Sequence, residues 1–248
     1  MVRLLAASAL ALLFASPAAA MVGGAAPAQP AIARHIVLIT GTRGLCTGVA
    51  IAPDLVLTAA HCVVRSANFR LTASDRRRFT AKDVAGVTPH PQYLSGSDGP
   101  DLALVRLAAL PPAILPPAPL SDRRAPISAG ERFLVAGFGI TAPRDRKIPA
   151  TPLAAELIAT ERPSSQRVSL VDPETLGEAA GLGACNGDSG GPVFEQRSGE
   201  LALVGIVSWS RATDGEPGCG YITGVIPLPR YRYWIVETAA KMGASLAP

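Results

Sequence analysis

Apolar residues along the chain fall into short runs broken by glycine, proline and aspartate, and this punctuation is the first structural signal. His35-Ile36-Val37-Leu38-Ile39 reads as a strand. Gly44 to Ala52 and Leu55 to Thr58 read as a paired unit around the turn Ala52-Pro53-Asp54, because proline and aspartate favour a tight reversal between apolar runs. Phe69-Arg70-Leu71-Thr72 alternates with the period of two of a half-buried strand; Ser74 to Arg78 reads as its turn and Phe79 to Val87 as the next strand. Further strands are expected in the apolar run led by Asp101, and at Phe133 to Ala136, Ala154 to Ala159, Gln166 to Leu170 and Leu201 to Trp209. Tyr231, Trp234, Ile235 and Thr238 are spaced to share one helical face, which predicts a helix over Tyr231 to Lys241.

Composition agrees with an all-β chain. Charged residues make up 17%, apolar residues 48%, and there are 24 glycines and 23 prolines, a mix that suits short strands with many turns and argues against a helical bundle. A length of 248 residues allows one large β domain or two small barrels sharing an interface. Leu110 to Pro119 is dense in proline, cannot be a central strand, and reads as an extended connector. The net charge of +4, or +3 without Arg3, is small and scattered, which argues against nucleic acid as a partner. The run Arg76-Arg77-Arg78 reads as part of a solvated loop.

Residues 1–20 carry Arg3, an apolar run from Leu4 to Phe14 and the small residues Ala18-Ala19-Ala20, the pattern of a cleavable secretory signal too short to span a bilayer. No cysteine follows the expected cut, so no lipid anchor is expected, and the mature protein is read as a secreted or periplasmic monomer without membrane attachment. Export makes disulfides expected. The four cysteines permit three pairings, and their spacing alone leaves all three open. None has C-x-x-C spacing, which argues against zinc, and neither a metal nor another cofactor is expected.

The chemistry centres on Cys185-Asn186-Gly187-Asp188-Ser189-Gly190-Gly191-Pro192. Gly187, Gly190 and Gly191 let the backbone turn tightly, and such a turn can aim the amides of Gly187 and Ser189 at one point, as a developing oxyanion requires. A serine hydroxyl needs a base and an orienting acid. Thr58-Ala59-Ala60-His61-Cys62 supplies an imidazole, and Asp101 a carboxylate. Asp98 competes for the acid role but lies in the loop Ser95 to Pro100, whereas Asp101 leads an apolar run that can hold it rigid. His35 and His90 have no nucleophile or acid motif about them and are read as structural. Gly187 to Gly191 also satisfies G-x-S-x-G, but the hydrolase elbow of that form needs a histidine downstream, and none follows His90.

TAAHC, DLALVRL and GDSGGP, in that order, resemble the signature stretches of trypsin/chymotrypsin-type serine proteases. The resemblance spans essentially residues 21–242, with Phe138 standing where the family usually has tryptophan. It implies two six-stranded antiparallel β-barrels with a C-terminal helix, an N-terminal barrel over 21–120 and a C-terminal barrel with the helix over 121–248, together one peptidase domain. By the family's template, His61 is general base, Asp101 its partner, Ser189 the nucleophile, and the Gly187 and Ser189 amides form the oxyanion hole of an endopeptidase acting on protein or peptide substrates. It also implies the disulfides Cys46–Cys62 and Cys185–Cys219. A specificity pocket is implied with Gly183 as its floor, Ala184 beside it, and Ser208, Trp209, Ser210 and Gly220 as walls. None of these is acidic, so cleavage after uncharged residues is expected, with Ser210 narrowing the slot; Asp214 and Glu216 lie in an adjacent loop. Met21-Val22-Gly23-Gly24 resembles the family's mature start, which implies an activating pair between the Met21 amine, released by signal cleavage, and Asp188. The alternative is a protease-like binding protein without activity.

Overall fold

The first half of the chain forms a sheet because its apolar residues alternate over stretches just long enough to cross a small core. The structure, a computed structural model, describes residues 21–246 apart from 43, 65–68, 75–77, 80–82, 95–98, 109–114, 146, 161–166, 198 and 214–217. The expected signal over 1–20, Arg76 and Arg77, Asp98, part of the proline-dense connector, and Asp214 and Glu216 therefore lie outside the described residues.

After β1 (Ala26–Pro27) and the one-turn helix α1 (Pro30–Ala33) come β2 (Ile36–Gly41), β3 (Gly44–Ala52), β4 (Leu55–Thr58), the one-turn helix α2 (Ala60–Val63), β5 (Phe69–Ala73), β6 (Arg78–Phe79), β7 (Val84–Pro89) and β8 (Ala103–Leu107). Strands β2 to β8 pair antiparallel in the order β6-β5-β2-β3-β4-β8-β7, a half-barrel whose edges are β6 and β7. Pro53 and Asp54 make the reversal between β3 and β4 and set Val49 opposite Leu57 and Gly48 opposite Thr58. Leu55, Val56 and Leu57 are fully buried, and each such side chain contributes about 1.5–3 kcal/mol on burial. The single strand expected over Phe79 to Val87 is instead divided: Phe79 belongs to β6, which pairs with β5, whereas β7 from Val84 pairs with β8 at the other edge, and residues 80–82 lie outside the described residues. Alternation alone could not show that break.

The second half contains β9 (Arg132–Gly137), β10 (Leu153–Ala159), β11 (Val168–Val171), β12 (Pro192–Arg197), β13 (Glu200–Arg211) and β14 (Ile222–Pro227). These run β9-β10-β11-β14-β13-β12, and β12 pairs back onto β9, so the sheet closes as a six-stranded barrel. A 3-10 turn over Pro229–Tyr231 leads into α3 (Arg232–Lys241), with Pro229 presetting the backbone at the start. The expected mostly-β architecture with a C-terminal helix is the one observed.

The main core joins both sheets. Leu55, Leu57 and Leu104 of the first sheet share a buried cluster with Phe194, Ile206 and Ile226 of the second, and with Tyr231, Ile235 and Ala239 of the terminal helix. The chain's ends reinforce the seam: β1 pairs with β10 of the second sheet, and α3 lies against β8 of the first. His90 is buried in edge and tilted contact with the rings of Tyr231 and Trp234. This places it in packing between the first half and the terminal helix.

Candidate active site

His61 sits on α2, just after β4 ends at Thr58. Ala59 enters in an extended conformation, Ala60 to Val63 complete one turn, and Val64 leaves extended again. Ala60, Cys62 and Val63 point inward, so His61 is left on the open side, and the Cys46–Cys62 disulfide ties this turn to β3. Asp101 precedes β8 and is 8% exposed. One carboxylate oxygen accepts the His61 backbone N–H at 2.9 Å; the other lies 2.7 Å from His61 Nδ1 and accepts the Ser208 hydroxyl at 2.7 Å. Burial pushes the Asp101 carboxyl up, but the hydrogen bonds and charge of His61, helped by Ser208, outweigh it and hold the group below the usual carboxylate range. This geometry favours the imidazole tautomer with the proton on Nδ1, leaving Nε2 as the basic atom. Nε2 lies 3.6 Å from Cys62 Sγ, and among the described residues it makes no hydrogen bond with Ser189 Oγ.

Ser189 stands in a turn held from several directions. The Thr47 hydroxyl donates to the Gly187 carbonyl at 2.7 Å, and the Thr47 amide donates to the Ser189 carbonyl at 2.8 Å. Gly187 has φ +103°, and a side chain there would run into Leu45, so only glycine fits. The amides of Asp188, Gly190 and Gly191 donate to the carbonyls of Cys185, Val207 and Asp188. Those of Gly187 and Ser189 have no such acceptor among the described residues. The turn therefore leaves two N–H groups available to a ligand.

Asp188 is fully buried behind this turn. Its carboxylate accepts the amides of Gly139 at 2.8 Å and Cys185 at 2.9 Å. Desolvation exceeds the effect of these bonds and raises its pKa to about 7. Met21 is also fully buried, in the core cluster of the second barrel, and Val22 forms a β-bridge with Gly183.

His61, Ser189, Gly187, Trp209 and Ser210 line one cleft of about 560 Å³ between the halves. Ser208 also reaches it, whereas the expected floor residues Gly183 and Ala184, and Gly220, do not line it. Gly183 lies close against Gly220 and is bridged by Val22, while the Ala184 amide donates to the buried Thr223 hydroxyl at 2.9 Å. The cleft is instead bounded there by Cys185 and Gly218, and the Ser210 hydroxyl donates to the Gly218 carbonyl at 2.5 Å. Cys185 and Cys219 form the second disulfide. Closing chain separations of 16 and 34 residues, the two bridges constrain the unfolded chain by about 3 and about 4 kcal/mol. Cys46, His61 and Cys62 cluster as metal ligands would, but both sulfurs belong to the first bridge, so the donor set lacks the thiolates such a site uses.

Three residues of this site carry no motif that sequence reading could have found. Thr47 clamps the serine turn, Thr223 crosses behind the cleft, and Ser208, expected only as a wall, bonds to Asp101. Each acts across a large sequence separation, and a lone serine or threonine in a strand looks like any other.

A model of the trypsin family matches residues 22–235. Vitamin K-dependent protein C of Mus musculus is 31% identical over 243 residues, covering 85% of this chain and 50% of that protein, so the chain spans about half the length of this relative. Kallikrein 1-related peptidase b27 of Mus musculus is 29% identical over 241 residues, covering 84% of this chain and 85% of the relative. Among solved structures, neuropsin, a serine protease expressed in the limbic system of mouse brain, superposes with a TM-score of 0.67 at 24% identity, covering 86% of this chain and 98% of its own.

Proposed function

The chain belongs to the trypsin family of serine proteases, and from that premise we propose that it is a secreted endopeptidase that hydrolyses peptide bonds with Ser189, His61 and Asp101. In this reading Ser189 Oγ attacks the substrate carbonyl as His61 Nε2 takes its proton. Asp101 holds the imidazole and balances its charge, and His61 then returns the proton to the leaving amine. Water repeats the sequence on the acyl-enzyme. The observation that carries the reading is the pair of amides on Gly187 and Ser189, left without acceptors beside the serine hydroxyl in the cleft that His61 shares. Preorganised donors of this kind are each worth about 2.7–4 kcal/mol to the barrier. The hydrogen bond between Ser189 and His61 forms as substrate enters, since such bonds commonly tighten only in the complex.

The surroundings of the expected pocket support cleavage after uncharged residues: Gly183, Ala184, Ser210, Gly220 and the Thr223 behind them include no carboxylate to pair with a basic side chain. The buried Asp188 supports activation by the Met21 amine. A carboxyl whose pKa is driven up to about 7 by burial gains most from a cation, and Met21 is already inside the second barrel. Cleavage after residue 20 would release that amine, without a separate propeptide. In this reading the mature enzyme is a monomer acting on protein or peptide substrates, with neither nucleic acid nor membrane as a partner.

A fluorophosphonate probe tests the central assignment. Labelling of the exported protein at Ser189, lost in Ser189→Ala, is expected. A folded protein that never labels refutes it in favour of a silent binding protein. Profiling with a peptide library tests the pocket, and a dominant preference for Arg or Lys before the cut would overturn it.

A further inference from the structure

Strand β13 changes partners along its length. It pairs with β12 only as far as Ile206, but with β14 through to Arg211. On the side that β12 has left, the edge from Ser208 to Arg211 has no strand partner among the described residues; the Ser210 carbonyl accepts only a long bond from the Gly218 amide, at 3.4 Å, and Ser208, Trp209 and Ser210 face the cleft there. An open edge of this kind receives an extended peptide as an added strand. With the residue to be cleaved beside Ser208, an antiparallel peptide runs one residue for one along the edge. Its third residue before the scissile bond then lies opposite Ser210 and its fourth opposite Arg211.

Arg211 is exposed, and its guanidinium sits over the Trp209 ring, 5.2 Å from the centroid. The indole in turn lies against Gly224, where any side chain would collide with it, so the platform under Arg211 has little freedom to move. Other arginines engage carboxylates of the chain itself: Arg106 with Asp54, Arg123 with Glu131 and Glu195, Arg132 with Glu156, and Arg197 with Asp122. Among the described residues Arg211 forms no ion pair, and its side chain's partner is the ring. A guanidinium stacked on an aromatic face keeps its in-plane N–H donors available at its rim and has already lost much of its rotamer freedom. Planar paired donors match a carboxylate.

We propose that Arg211, held on the Trp209 indole, forms a subsite for an acidic side chain at the third or fourth substrate residue before the scissile bond. The proposal rests on the proteolytic reading and extends it from the cleaved residue to the strand that precedes it. Sequence context before the cleaved residue then contributes to target choice.

The test separates binding from turnover. In a Ser189→Ala background, fluorescein-labelled peptides of one sequence carrying Glu, Gln or Lys at the third or fourth position are titrated and Kd is read by anisotropy at low and high salt. The Glu peptide is expected to bind about tenfold more tightly than the Lys peptide at one of the two positions, with Gln between, and salt should narrow the gap. Adding Arg211→Glu should reverse the order, and Arg211→Lys should retain part of it, since a point charge replaces the planar fork. Equal affinities for Glu and Lys, a ranking unchanged by Arg211→Glu, or no binding of any peptide overturns the subsite. Hydrolysis of the same peptides by the Ser189 form is scored separately: failure there strikes the proteolytic reading, while the Kd ranking still decides the subsite.

Discussion

If the Met21 amine pairs with the buried Asp188 as proposed, stability depends on whether that amine is free. When residue 20 or any other residue remains attached, Asp188 has only the amides of Gly139 and Cys185, and its pKa rises from 3.8 to about 7. Between these values the folded state holds a proton that the unfolded chain has released, so stability falls as pH rises across that window and levels off above about 7. Raising a pKa by one is worth about 1.36 kcal/mol, so the buried carboxyl costs the blocked form about 4 kcal/mol at neutral pH relative to its stability in mild acid. A free Met21 ammonium paired with the carboxylate offsets this and flattens the decline. The assay is urea unfolding from pH 4 to 8 of two Ser189→Ala proteins, one beginning at Met21 and one with an extra residue before it. All other side chains are common to both proteins and cancel in the comparison. The extended form should lose several kcal/mol more across the window, and Asp188→Asn should bring the two profiles together. Parallel profiles in the original pair would refute the pairing.

Ser189→Ala should abolish peptide hydrolysis while leaving the urea midpoint within error of the parent; measurable turnover at the parent's rate contradicts the nucleophile assignment. Ser208→Ala removes one donor from Asp101 and is expected to lower kcat/KM about tenfold, the usual scale for a hydrogen bond to a charged group. Because the folded Asp101 carboxyl is depressed, its stabilisation is present above the unfolded pKa and is lost as pH falls through the folded one. Ser208→Ala should therefore shrink the acid-side loss in urea melts below about pH 4, and an unchanged profile would count against the coupling. Arg123→Ala removes one of the two arginines that pair with Glu195, whose side chain is only 6% exposed, and leaves it Arg197 at 3.6 Å and the Ser121 hydroxyl, so it should cost about 1–3 kcal/mol in urea unfolding. The more exposed Glu131 adds little, and a loss below about 1 kcal/mol would show that Arg197 and Ser121 satisfy Glu195 without Arg123.

Much of the site can be read in the sequence because its residues are embedded in distinctive neighbours. Gly187 to Gly191 must turn sharply, Asp101 leads an apolar run, and His61 follows one. The hairpin of β3 and β4 is equally plain, since Pro53 and Asp54 separate two continuous apolar segments. Strands β12 and β14 escape such a reading. In β12, the apolar Pro192-Val193-Phe194 gives way to Glu195, which looks exposed until Arg123 and Ser121 are seen to reach it from the inter-sheet connection. In β14, Thr223 and Gly224 interrupt the apolar pattern for reasons that lie elsewhere: one hydroxyl meets the Ala184 amide, and one missing side chain makes room for Trp209. That Gly183 and Gly220 lie outside the cleft lining cannot be foreseen either, since it depends on how closely Gly183, Gly220 and Val22 approach.

The exchange of ends between the two sheets bears on the order in which the molecule can be made. Residues near the amino end, Val22 and Ala26, complete the half that is synthesised last, and α3 near the carboxyl end covers the half synthesised first. Neither half finds its full complement of contacts until nearly the whole chain has emerged. A nascent chain halted at the proline-dense connector has its first sheet without the helix that packs over His90 and β8. The crossed ends thus hold back final assembly until synthesis is nearly complete.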